Sequence, residues 1–137
     1  MRKIKQIVIH CTATKEGKDY TVKDVDRWHK ERGWKGIGYH FLIRLDGDIE
    51  VGRPIEAIGA HVKNFNKESI GIVYVGGLDK NNKPKDTRTE AQKDALHGLL
   101  TYLKADFPFA KILGHRDFPN VKKACPCFDV KTEYKCL

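Results

Sequence analysis

The sequence predicts an α/β fold, a central mixed β-sheet flanked by helices. Two observations carry that prediction: short apolar runs rich in β-branched residues alternate with segments of helical period, and no internal repeat or low-complexity segment interrupts them. The length of 137 residues suits a single domain over 1–137. A chain of that size buries roughly two-thirds of its unfolded surface.

Each element has a local warrant. Ile4 to His10 is a short apolar run, and the small residues Cys11-Thr12-Ala13-Thr14 follow it, so a buried strand is expected to end at His10. Thr21 and Asp24 have the spacing of a capping box, with Asp in place of Glu. Val22, Val25, Trp28 and His29 then recur at helical intervals as far as Gly33, which places a first helix over about Val22 to Arg32. Tyr39 to Leu45 alternates aromatic and aliphatic residues, Asp46-Gly47 supplies a tight turn, and Ile49 to Val51 completes a hairpin. Ile70 to Val75 reads as another strand, closed by Gly76-Gly77, and Leu78 to Arg88 as an exposed polar loop. Thr89 and Gln92 make a second capping box ahead of Ala95, Leu96, Leu99, Leu100 and Leu103, whose spacing gives a helix one apolar face. Lys111 to Gly114 is a last short strand that delivers His115 to its end.

Composition narrows the class of function. With 40% hydrophobic and 32% charged residues the chain is too apolar to be disordered, and it has no apolar run long enough to span a bilayer. The balance of 26 Lys+Arg against 18 Asp+Glu gives +8, which favours a polyanionic partner. The apolar run Ile7 to Ile9 is far shorter than a secretory core, so cytoplasmic synthesis without a signal peptide is expected. Cys11, Cys125, Cys127 and Cys136 are too few and too irregular for a disulfide framework; reduced thiols, some of them metal-bound, are expected instead.

Familiar catalytic signatures are missing. Ser69 is the only serine and has no GxSxG elbow around it. There is no phosphate loop, Gly36-Ile-Gly38 lacks the third glycine of a dinucleotide fingerprint, and HExxH is absent. Pro126-Cys127 lacks the second cysteine of a deaminase half-site. What remains is a long-range set: His10 after the first strand, His115 after the last, and Cys125 in a loop restrained by Pro126. Two imidazoles and a thiolate suit zinc, and three protein ligands leave a fourth position for water. The 6 histidines and 4 cysteines allow many other triples, among which spacing alone does not choose.

Five ordered segments resemble the type 2 N-acetylmuramoyl-L-alanine amidases, a family that includes phage lysozyme-type amidases and peptidoglycan recognition proteins. They are Ile7-Val-Ile-His10-Cys-Thr-Ala-Thr14; Gly38-Tyr-His-Phe41 with Asp46-Gly47; Gly59-Ala-His61 with Asn66 and Ser69-Ile-Gly-Ile72; Gly114-His115-Arg-Asp117; and Lys123-Ala-Cys125-Pro126. The resemblance implies a central mixed sheet flanked by helices and one zinc ion held by His10, His115 and Cys125 in a groove at strand ends. It also implies hydrolysis of the amide between N-acetylmuramic acid and L-alanine, with peptidoglycan or muropeptide as substrate. Tyr39 and Lys123 match the family's auxiliary catalytic positions, and His61 lies in the segment that forms its groove wall, as a substrate contact. A compact phage or prophage endolysin acting on the cell wall is the implied context, with muropeptide recycling as the other; a monomer with no membrane or nucleic-acid partner is expected.

Several neighbours read as structural. His40 points to the opposite strand face from Tyr39, and Cys11 faces away from His10 as a small buried hydrophobe. Asn66 and Ser69 are expected to tie their loop to backbone, and His29 and His97 to be packing or surface residues. The chain departs from the family pattern at Asn64, where many members have glycine, at Cys127, where glycine or serine is frequent, and at Pro119, early in the loop to Cys125. Two rivals compete with the amidase. A non-catalytic peptidoglycan-binding module of the same fold would tolerate loss of Cys125, which this chain retains. A nucleic-acid or polymerase-binding protein would use the charge of +8, but no recognition module accompanies it.

Overall fold

The computed structural model describes residues 2–137. In chain order the elements are β1 (Gln6–Cys11), β2 (Thr14–Lys15), α1 (Val22–Glu31), β3 (Phe41–Ile43), β4 (Ile49–Val51), β5 (Ser69–Tyr74), β6 (Gly77–Leu78), α2 (Glu90–Asp106), β7 (Lys111–Gly114) and α3 (Val130–Glu133). The main sheet has the order β4-β3-β5-β1-β7; all its pairings are parallel except the edge hairpin β3-β4. Both faces are covered, which is why the central strands are mostly apolar and every residue of β5 is buried.

Strand alternation sends β1 side chains to two different cores. Ile7, Ile9 and Cys11 join Ile70, Ile72 and Tyr74 against Leu96, Leu99, Leu100 and Leu103 of α2 and Val130 of α3. Leu42, Val73 and Val75 face the other way, against Val25 of α1, and Val8 packs with Val62 and Phe118. Leu96, Leu100 and Leu103 are wholly enclosed, a burial that stabilises by about 1.5–3 kcal/mol for each side chain. Both expected capping boxes form. Gln92 does more than cap, since its Nε2 donates to the carbonyls of Ile43 and Val75 and so fastens α2 to the ends of two strands.

The structure corrects several boundaries. β1 continues one residue beyond His10, because Cys11 still pairs with Tyr74. The ladder of β3 shrinks to Phe41–Ile43. The loop expected from Leu78 begins within β6, which pairs with β2 in a second, two-stranded sheet. Helix α3 has only 4 residues, too few to show a period, and is started by Asp129, whose carboxylate accepts the Thr132 N–H. Among the described residues no helix is long and apolar enough to cross a membrane.

Candidate metal centre and groove

Parallel register brings the first and last strands of the main sheet to the site. Ile9 pairs with Gly114, so the next residues, His10 and His115, emerge side by side at the same sheet edge with ring centroids 4.6 Å apart. A turn at His115–Asp117 then reverses the chain, and the Arg116 N–H donates to the Cys125 carbonyl at 2.9 Å, which returns the loop beneath the two rings. One donor atom each from His10, His115 and Cys125 lies within 4.8 Å of the others. The group contains no carboxylate.

Its electrostatics favour the protonation states that a metal needs. Burial pushes His10 well below the ordinary imidazole value, and the neighbouring His61 and His115 add to this. His115 is lowered by burial and then by the Lys123 charge. Cys125 is lowered chiefly by a hydrogen bond from the Cys11 thiol, and the Cys11 N–H donates to its Sγ at 3.2 Å. Cys11 is therefore buried in the core, as its strand position implied, but also supports a proposed ligand.

The remaining site residues form a shell around this group. Tyr39 stacks obliquely on His10 with centroids 4.9 Å apart and on the buried His29 at 5.5 Å; His29 in turn accepts the Gly38 N–H through Nδ1. Burial raises the Tyr39 phenol, which keeps its proton. Among the described residues no protein group bonds to its hydroxyl. Lys123 is exposed at the rim, and its charge reaches both His115 and Cys125. His61 turns inward: Nδ1 lies 2.8 Å from Nε2 of His10, and Nε2 lies 3.1 Å from the Ser69 hydroxyl. Its backbone is held by Asn66, whose Oδ1 accepts the N–H groups of His61 and Val62. His40 is fully buried and accepts the Gly71 N–H, a structural task.

Two depressions flank His115. One, of about 540 Å³, is lined by Val62, Phe65, Phe118 and Asn120; the other, of about 400 Å³, is lined by Trp34, Ala60, His61 and Lys63. Trp34, exposed beside His61, lines the second of these, a place that an isolated aromatic does not announce in the sequence. The departures from the family pattern are accommodated. Asn64 adopts φ 74 and Cys127 φ 72, the left-handed region that glycine enters most easily. Cys127 Sγ donates to the Gly77 carbonyl and stays outside the His10, His115 and Cys125 group.

Comparison with known proteins identifies the relatives of this chain. Residues 1–128 match the family described as N-acetylmuramoyl-L-alanine amidase. The endolysin of Klebsiella phage KP32 is 46% identical over 126 residues, which cover 92% of this chain and 82% of that protein. The endolysin of Escherichia phage T7 is 42% identical over 125 residues, covering 91% and 82%. Among solved structures, the N-acetylmuramoyl-L-alanine amidase LysC from Clostridium intestinale superposes with a TM-score of 0.80 at 32% identity, over 98% of this chain and 87% of that one. Wild-type Drosophila PGRP-LB gives 0.77 at 29% identity, over 98% and 81%.

Proposed function

The chain belongs to the N-acetylmuramoyl-L-alanine amidase family and is a peptidoglycan amidase of the endolysin kind, and from this we propose that His10, His115 and Cys125 hold one catalytic zinc ion. The observation that carries the reading is the convergence of two neutral imidazoles and an acidified thiol at one sheet edge, a donor set that fits zinc. Zinc supplies a Lewis acid that makes water nucleophilic near neutral pH and polarises the scissile carbonyl. The bond cleaved joins the lactyl group of N-acetylmuramic acid to L-alanine, so the products are bare glycan and free stem peptide.

The side chains around the donors carry the rest. Lys123 offers a cation at the rim where negative charge grows on the carbonyl oxygen as that carbon becomes tetrahedral. Tyr39, protonated and with its hydroxyl unengaged, donates a hydrogen bond to the same region or orients water. His61 contacts substrate through the part of its ring that lines the groove, since both nitrogens already have partners. In this reading the chain acts as a monomer and a single domain over 1–137, made in the cytoplasm and working on the wall.

Metal analysis together with mass spectrometry of digested sacculus tests this reading. The expected outcome is one zinc per chain and free peptides that begin with L-alanine. Cys125→Ser should keep the fold, lose the metal and lower peptide release by about 10³-fold or more, equivalent to about 4 kcal/mol of barrier. Undiminished release by that variant rejects the zinc assignment.

A further inference from the structure

We infer that His61 and Ser69 are positioning residues for His10: the His10 Nε2–H donates to His61 Nδ1, the His61 Nε2–H donates to the Ser69 hydroxyl oxygen, and Nδ1 of His10 is thereby presented to the metal. The inference deepens the zinc reading above and rests on it.

The geometry leaves little choice of protons. A separation of 2.8 Å between His10 Nε2 and His61 Nδ1 requires one proton between them. Were that proton on His61, neutral His10 would carry its own on Nδ1 and would have no lone pair left for a metal. With the proton on His10 Nε2, Nδ1 is free, and His61 must be the tautomer protonated at Nε2. The Ser69 hydroxyl stands 3.1 Å from that nitrogen and is fully buried. Metal-ligating histidines usually donate their second N–H to an acceptor that sets tautomer and ring angle. Here the acceptor is another imidazole.

Independent features hold that imidazole in place. Asn66 Oδ1 grips the backbone N–H groups at 61 and 62, each at 2.9 Å. The ring lies flat on Gly71, where a Cβ would come within 2.7 Å of it, so the sheet leaves out a side chain to admit it. Arg2 fastens the far side of the same loop by donating to the carbonyls of Asn66, Lys67 and Ser69. A wall histidine needed only for substrate would not require both nitrogens to be engaged from within.

The test measures zinc affinity by chelator competition and histidine tautomers by nitrogen NMR of the zinc-loaded wild type. NMR should show His10 protonated at Nε2 with Nδ1 bearing the metal shift; a metal shift at Nε2 overturns the inference without any variant. His61→Leu should weaken zinc binding by about 10- to 100-fold, the usual cost of losing such a partner. His61→Gln, whose amide can accept from His10 and donate to Ser69, should recover most of that loss, and Ser69→Ala should lose less than His61→Leu. Zinc affinity in folded His61→Leu within about twofold of wild type, with KM raised, would assign His61 to substrate alone and sink the chain. A wild type that holds no zinc would overturn the zinc reading as well, which separates the two failures.

Discussion

Two polar clusters buried against the same sheet handle charge in opposite ways. At one, the Arg88 guanidinium has a side chain only 1% exposed, yet Asp86 and Glu133 each accept from it, at 2.9 and 2.7 Å, and the Phe128 ring lies 3.4 Å from its central carbon. The chain supplies its own counter-charges, and the cluster binds the loop before α2 to α3. At the other, His10, His115 and Cys125 meet with no carboxylate and no cation among them. Their protonation is pushed toward the neutral imidazole and the thiolate, so the complement they call for is a positive ion from outside. A buried cation whose carboxylate partners come from the same chain is structural, whereas electron-pair donors that face one another with no cation between them form a candidate binding site.

Substitutions should separate the clusters by what each one damages. Lys123→Ala removes the rim cation beside the donor group and should lower kcat for peptide release by about 10²- to 10³-fold, the usual cost of an oxyanion donor, with Tm unchanged. A kcat within threefold of wild type would remove Lys123 from the reaction. Arg88→Met should do the reverse. It strips the counter-charge from two carboxylates that are still partly open to water, so the loss is near the lower end for a buried pair, about 2–3 kcal/mol by denaturant titration. Turnover at low temperature should stay within about twofold of wild type.

Acid distinguishes the clusters by pH window. In the metal-free protein His10 and His61 sit below the ordinary value of 6.5, His61 at about 3, each held down first by burial. The unfolded chain therefore binds more protons than the native one below that pH. Stability is complete above 6.5 and falls as pH drops, by at most about 1.4 kcal/mol per pH unit for each histidine. For Asp86, burial pulls upward but the Arg88 bonds outweigh it, and Glu133 is lowered by Arg88 directly; their contribution is lost only below their ordinary values of 3.8 and 4.5. Urea titrations of metal-free protein at pH 7, 5.5, 4 and 3 should show the first loss down to pH 4 and a second one below it that is smaller in Arg88→Met. A flat profile between pH 7 and 5 would contradict the buried neutral histidines.

Local chemistry was legible without coordinates. Thr21 with Asp24 and Thr89 with Gln92 start helices wherever they stand ahead of an apolar period, because the capping bonds close within three residues. The Asp46-Gly47 turn and the β-branched runs are equally local, and the resemblance of five ordered segments pointed to His10, His115 and Cys125 before any distance was known. Helix α3, the β2-β6 pair and the exposed Trp34 escaped, since two to four residues show no period and an isolated aromatic has no pattern.

What tertiary structure alone decided is how the donors meet and which way each ring faces. His10 and His115 are joined by parallel register across β1 and β7, and Cys125 is brought to them by bonds from the Arg116 and Cys11 N–H groups, contacts between segments far apart in the sequence. The sequence specified the kinds of donor, the helix starts and the strand runs through short-range bonds and periodicity. The pairing of Ile9 with Gly114, the inward turn of His61 onto His10 and the closure of Arg88 on Glu133 depend on long-range packing, because contacts between distant segments exist only once the sheet has set their register.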